Sequence, residues 1–180
     1  NLPAGWRASR KDISMFSPGT ESNNHFLRVN TISGCTSIGK QFNYSAEKYP
    51  HLIWKWRVHK LPEGGDETVK SKNDSGAGIY VIFKGQFRLN TVIKYVWSST
   101  LPKGTSTFSR YNGRTAIIVL RNASDSTGTW FTEKVNVYKD YERVFGKIPP
   151  VVEGIGILSD ADNTKTEAAA DYGEIRIMEN

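Results

Sequence analysis

The residues in this sequence that could do chemistry lie on two strand-like runs and in two polar loops. In HLIWKWRVHKL, His51 to Leu61, side-chain character alternates, with Trp54, Trp56 and Val58 on one side and Lys55, Arg57 and His59 on the other. Arg57 and His59 could grip an acidic group from that cationic face. The tryptophans could stack on sugar rings if their face is open, or fill a core if it is closed. The same choice applies to VIKYVWSS, where Ile93, Tyr95 and Trp97 share one face, and Val92, Lys94 and Val96 share the other. The longest polar stretch, Glu63 to Gly78, carries Lys70 and Asp74 and is a candidate rim for a binding site; it could equally be an exposed hairpin connection. Arg57, His59, Lys70, Asp74, Tyr95 and Trp97 are therefore the candidate ligand-binding set. In ILSDADNTKTE the close oxygens of Asp160, Asp162 and Asn163 form a candidate calcium site, although the same residues make Asx turns that end strands.

Other chemistry is missing. No GxSxG nucleophile elbow occurs, and Cys35, in SGCTS, reads as a small buried or half-buried residue near a strand start. His51 and His59 sit on one strand about 27 Å apart, too far to share a zinc ion. The paired carboxylates of a retaining glycosidase, close together on one strand face, are not visible. A polysaccharide-active enzyme would have to use Asp74 with Asp140, or His59 with Tyr95, as acid and base. No residue is assigned a catalytic role on this basis, and no cofactor is required.

These residues need rigid elements to position them, and the hydrophobic pattern supplies strands. Apolar residues recur with a period near two between clusters of Gly, Pro, Asn and Asp, which predicts an all-β sandwich in one domain, residues 1–180. The expected strands are Trp6 to Lys11, His25 to Ile32, Ile38 to Tyr44, Leu52 to Leu61, Gly78 to Lys84, Thr91 to Ser98, Thr115 to Asn122, Thr129 to Val137, Ile155 to Ser159 and Glu174 to Met178. One helix is expected at Tyr138 to Phe145, where Tyr138, Tyr141, Val144 and Phe145 share a face and Gly146 supplies a stop.

The 180 residues include 38% hydrophobic and 23% charged residues, enough for a sizeable core. No apolar run approaches the length of a membrane-spanning helix. One cysteine excludes an internal disulfide. The net charge of +6 favours anionic partners, but the basic residues are dispersed rather than gathered into a nucleic-acid-binding arm. A start without Met and a wealth of Ser, Thr, Asn and Gly fit a secreted or periplasmic chain after signal-peptide removal. The oligomeric state is not legible.

Five motifs occur in order: WKWRV (Trp54 to Val58), KNDSGAGIYVIF (Lys72 to Phe83), IKYVWSSTLPKGT (Ile93 to Thr105), EKVNVYKDYERVFG (Glu133 to Gly146) and GILSDADNT followed by ADYGEIRI (Gly156 to Ile177). Together, with Gly5 and Trp6 as a start, they resemble the bacterial domain-of-unknown-function family 3047. Where the family pattern shows two adjacent aspartates, this chain has Asn73 and Asp74. The resemblance implies an exported bacterial β-sandwich similar to galactose-binding-like jelly rolls, and brings no established activity with it. The expected function is non-catalytic binding of a carbohydrate or cell-envelope glycan. The alternatives are a polysaccharide lyase or hydrolase, and an assembly protein that pairs through its sheet edges.

Overall fold

The computed structural model describes residues 2–179. Twelve strands and one helix follow one another: β1 (Trp6–Ala8), β2 (Phe16–Glu21), β3 (Asn24–Ile32), β4 (Ile38–Tyr44), β5 (His51–Lys60), β6 (Ala77–Phe83), β7 (Thr91–Trp97), β8 (Ser106–Phe108), β9 (Thr115–Arg121), β10 (Phe131–Asn136), α1 (Val137–Phe145), β11 (Val152–Leu158) and β12 (Glu167–Met178). A seven-stranded sheet runs in the order β1-β4-β11-β6-β7-β9-β8, and a five-stranded sheet in the order β10-β5-β12-β3-β2. They form a jelly-roll-like β-sandwich with one short helix, and no helix among the described residues is long and apolar enough to cross a membrane.

The period-two pattern decides what lies between the sheets. From the five-stranded sheet, Trp54, Trp56, Val58, Ala170, Tyr172 and Val29 point inward; from the seven-stranded sheet, Ile79, Val81, Phe83, Tyr95 and Trp97 meet them. The rings interlock: Trp54 lies 5.6 Å from Tyr95, Trp56 lies 5.8 Å from Trp97, and Trp97 packs edge-on against Phe131. Lys55, Arg57 and His59 must then point out of the five-stranded sheet.

The helix begins at Val137, one residue before the expected Tyr138, and ends at Phe145 as expected. Asn136 Oδ1 accepts the Lys139 N–H as an N-cap, and Gly146 takes the left-handed conformation, φ 67°, that closes the helix. Two strands were not expected. β2 contains Pro18 and Gly19, which read as breakers, and β8 has three residues; both are edge strands, where such residues are tolerated. β12 begins at Glu167 rather than Glu174, because the poor strand formers Ala168 to Ala170 are held by ladders on both sides.

β12 carries the irregularity that matters most. Its register with β5 shifts between Tyr172 and Ile175, so Gly173 and Glu174 form a bulge. The bulge resets the alternation and turns Tyr172, Ile175 and Ile177 all toward the inter-sheet space. It also marks a parting of strands: β12 pairs with β3 only from Glu167 to Tyr172, while its later residues pair with β5 alone, and β3 before Leu27 pairs with β2 alone.

Candidate functional site

Register brings the site together. On the outer face of the five-stranded sheet Asp171 stands opposite Arg28 on one neighbouring strand and Arg57 on the other, a cross-strand row of plus, minus, plus. Phe26 lies two residues along β3 and His59 two along β5, on the same face. Trp130 immediately precedes Phe131, the partner of Trp56, and so reaches the row from the β10 side. Its indole lies over the bulge, where a Cβ on Gly173 would come within 3.5 Å of the ring.

The Asp171 side chain is fully buried. Arg28 donates to both of its oxygens, Nε to Oδ1 at 2.8 Å and Nη2 to Oδ2 at 2.9 Å. Arg57 Nε donates to Oδ2 at 2.7 Å, and His59 Nε2 lies 2.8 Å from the same oxygen. Burial alone would raise the Asp171 carboxyl, but the hydrogen bonds from Arg28, His59 and Arg57 outweigh it and hold the group at about 2. An acid that low, with its lone pairs taken, cannot give up or take a proton near neutral pH.

Around this anchor is a platform with aromatic and cationic surface. The Arg57 guanidinium lies 4.6 Å from the Trp130 ring and 5.3 Å from that of Phe26, and the two rings meet edge to face at 5.6 Å. Glu21 on β2 ties the group together, accepting from Arg57 Nη1 at 2.8 Å and from Trp130 Nε1 at 3.3 Å. Arg28 and His59 remain about one-third exposed. Planar rings and fixed donors can hold a sugar by its apolar face and its hydroxyl or carboxylate edge.

Of the residues singled out from the sequence, the structure joins Arg57 and His59 here and separates the others. Tyr95 and Trp97 are corrected: both have no exposed surface, so neither offers a ring face to a ligand. The Tyr95 hydroxyl donates to Asp140 Oδ2 at 2.9 Å, and Trp97 Nε1 donates to the Asn122 carbonyl. His59 points out of the five-stranded sheet, whereas Tyr95 points from the seven-stranded sheet into the inter-sheet core, so the two form no acid-base pair. Nor does Asp74 join Asp140, which is held by Tyr95 and Arg143.

Asp74 instead ties the loop between β5 and β6 to the loop between β11 and β12. Its buried carboxylate accepts from the Asn163 and Thr164 N–H groups and from Thr164 Oγ1. Beside it, buried Glu67 accepts from Ser75 Oγ and Ser98 Oγ. Lys70 is exposed, with its ammonium 5.2 Å from the Tyr111 ring, and does not reach the platform. The stretch Glu63 to Gly78 is thus anchored by buried carboxylates rather than free as a binding rim.

In the candidate calcium site the structure groups Asp160 and Asp162 with Cys35, whose ligand atoms lie within 4.8 Å of one another. Asn163 is turned elsewhere: its amide donates to Asp162 and its oxygen accepts from the Tyr111 hydroxyl. Asp160 accepts the Ser75 N–H at 2.7 Å and faces the Lys94 ammonium at 3.9 Å. Burial pushes Asp160 up to about 6 against the pull of Lys94, and burial with the two aspartates pushes the Cys35 thiol up to about 11. In the absence of a metal the thiol is therefore protonated, and a poor nucleophile, at neutral pH.

Asp171, Arg28, Glu21, Phe26 and Trp130 were not singled out from the sequence. The alternation of His25 to Ile32 puts Phe26 and Arg28 on one face, a usable signal. Nothing local shows that β12 lies between β3 and β5.

The fold and platform describe a β-sandwich with a decorated outer sheet face, and comparison with known proteins adds a family. The chain belongs to the family described as protein of unknown function DUF3047, whose model matches residues 4–176. No curated protein matches the chain. Among solved structures, it is similar to a cellulase derived from Cel12A of Rhodothermus marinus, at 10% identity over 99% of this chain and 98% of that one, with a TM-score of 0.49. It is also similar to TmCBM61 in complex with β-1,4-galactotriose, at 7% identity over 98% and 90% of the two chains, TM-score 0.44. A third similar structure is the family GH12 endoglucanase 3 of Trichoderma harzianum, at 9% identity over 100% of both chains, TM-score 0.44. Likeness at this level concerns overall shape and carries no functional argument.

Proposed function

We propose that the protein binds a carbohydrate, an acidic or neutral glycan of the cell envelope, on the outer face of its five-stranded sheet and without cleaving it, as an exported protein. The observation that carries this reading is the stack of Phe26, Arg57 and Trp130, flanked by the part-exposed Arg28 and His59. Aromatic faces suit the C–H surface of a pyranose, and guanidinium groups suit its hydroxyls or a uronate carboxylate. Against hydrolysis stands the state of Asp171. The buried carboxylate of this face is held too low, and too fully hydrogen-bonded, to act as a general acid.

One contact favours a second reading, a lyase acting on uronate-containing glycans. If His59 Nε2–H donates to Asp171, Nδ1 is left as a base beside two guanidiniums that could neutralise a uronate.

Retention on an array of neutral and acidic glycans, with released product read from the same wells, tests both. The expected result is retention without product, weakened at least tenfold by Trp130→Ala while the melting temperature stays within a few degrees of the parent's, and weakened by salt if the glycan is acidic. Unsaturated product that disappears in His59→Ala would establish the lyase. Retention of no glycan would remove the binding reading.

A further inference from the structure

Where β3 and β12 part, a cavity of about 730 Å³ runs into the sandwich. Its walls include Trp6, Leu27, Phe42, Ile155, Ile175 and Ile177. Leu27 and Ile155 belong to the buried core, whereas Trp6, Phe42, Ile175 and Ile177 are half-buried. The bulge at Gly173 and Glu174 creates this space by turning Ile175 and Ile177 inward while releasing β12 from β3. Collapse of the gap would require the two parted strands to resume a register that the bulge has broken. The volume is in the range of ligand sites, and the lining is predominantly apolar.

The rim has a different character. Lys40 and His25, both exposed, and Thr20 and Glu174 border the opening. Phe26 and Gly173 line the cavity and also belong to the platform, Phe26 as a stacking ring and Gly173 beneath Trp130. An apolar interior thus opens directly beside a surface suited to a polar, anionic or sugar head.

We propose that this cavity receives the acyl chain of a sugar-headed amphiphile whose head lies on the Phe26, Arg57 and Trp130 platform. The inference rests on the carbohydrate-binding reading and narrows its ligand class to a glycolipid. The chain displaces water from apolar walls, and the head keeps its hydroxyl or anionic groups at the polar rim and the guanidiniums of the platform beside it. A free fatty acid offers the same chain chemistry with a carboxylate in place of the sugar, so both must be compared.

The test is calorimetric titration with octyl, decyl and dodecyl β-maltoside as monomers, with dodecanoate, and with maltose alone, alongside melting temperatures. Affinity for the maltosides is expected to rise with chain length, by up to about fourfold per methylene for complete burial, and each bound amphiphile should raise the melting temperature. Ile177→Trp and Ile175→Trp, two independent ways of filling the cavity, should each weaken dodecyl maltoside at least tenfold, provided the variant still melts cooperatively. Trp130→Ala should weaken the maltoside and leave dodecanoate unchanged.

Affinity independent of chain length, or unchanged in both folded filling variants, overturns the acyl site. If glycans are nevertheless retained on the array through Trp130, the carbohydrate reading stands without it. Dodecanoate bound as tightly as the maltoside, with neither sensitive to Trp130→Ala, overturns the glycolipid and assigns the cavity to free fatty acid.

Discussion

Asp171 has no exposed side-chain surface, and it stays ionised because strand register sets it between Arg28 and Arg57 with His59 alongside. Removing its charge leaves two guanidiniums facing a neutral group. Asp171→Asn is therefore expected to cost about 3 kcal/mol in urea unfolding at neutral pH. The pH dependence has a definite sign. The folded-state pKa is depressed from 3.8 to about 2, so the stabilisation is present in full above about pH 4 and is lost as pH falls through 2. Unfolding curves between pH 5 and 2 should show this loss in the parent and a smaller one in Asp171→Asn; parallel curves would mean the carboxylate is not held low. Trp97 is a different kind of residue, because its ring is enclosed by Trp56 and Phe131. Trp97→Ala should cost about 3 to 5 kcal/mol, and any loss of ligand should track unfolding. A stable Trp97→Ala variant that has lost its ligand would place that ring at a surface instead.

Elements differ in how much of them the sequence displays. The alternation of β5 shows its faces, Trp54 and Trp56 inward and Arg57 and His59 outward, because one side of the strand meets only apolar neighbours. The bulge of β12 hides the corresponding signal: Asp171 and Tyr172 fit one phase, Ile175 and Ile177 the other, and the partner Arg57 is 114 residues away in the chain. Half of the platform was thus readable from β5, and the half that fixes it was not, since strand order in a sheet is a long-range property. The edge strands β2 and β8 escaped for another reason, as Pro18, Gly19 and a three-residue length are compatible with an edge but resemble turns. The loop from Glu63 to Gly78 looks mobile in sequence, yet Glu67 and Asp74 pin it. Asp74→Ala would strip three hydrogen bonds from Asn163 and Thr164. Amide hydrogen exchange should accelerate in residues 159–166 while glycan retention on the outer face of the five-stranded sheet is unchanged; unaltered exchange would show that Asp74 does not pin the loop. In the same region Lys94 already supplies Asp160 with a positive charge. The melting temperature is expected to be equal in calcium and in chelator, and a rise with calcium would restore Asp160 and Asp162 as ligands.

At the scale of the whole molecule the question is whether the sandwich works alone or by pairing its edges. The seven-stranded sheet ends in β1 and β8, each three residues long, so neither offers a ladder of useful length to another chain. The five-stranded sheet ends in β2, where Pro18 removes a backbone donor, and in β10, where Glu133 and Lys134 sit on the edge. Short strands, proline and charge are the devices that discourage edge-to-edge association. A net charge of +6 adds repulsion between copies at low salt. The expectation is a monomer by light scattering coupled to size-exclusion chromatography, at low and high salt and over a wide concentration range. A dimer that strengthens with concentration would redirect attention to assembly, and its loss in a variant carrying a proline in β10, Val135→Pro, would identify the edge responsible. A monomer leaves the outer face of the five-stranded sheet and the adjoining cavity open in solution, the condition under which one chain can hold a ligand without help from another.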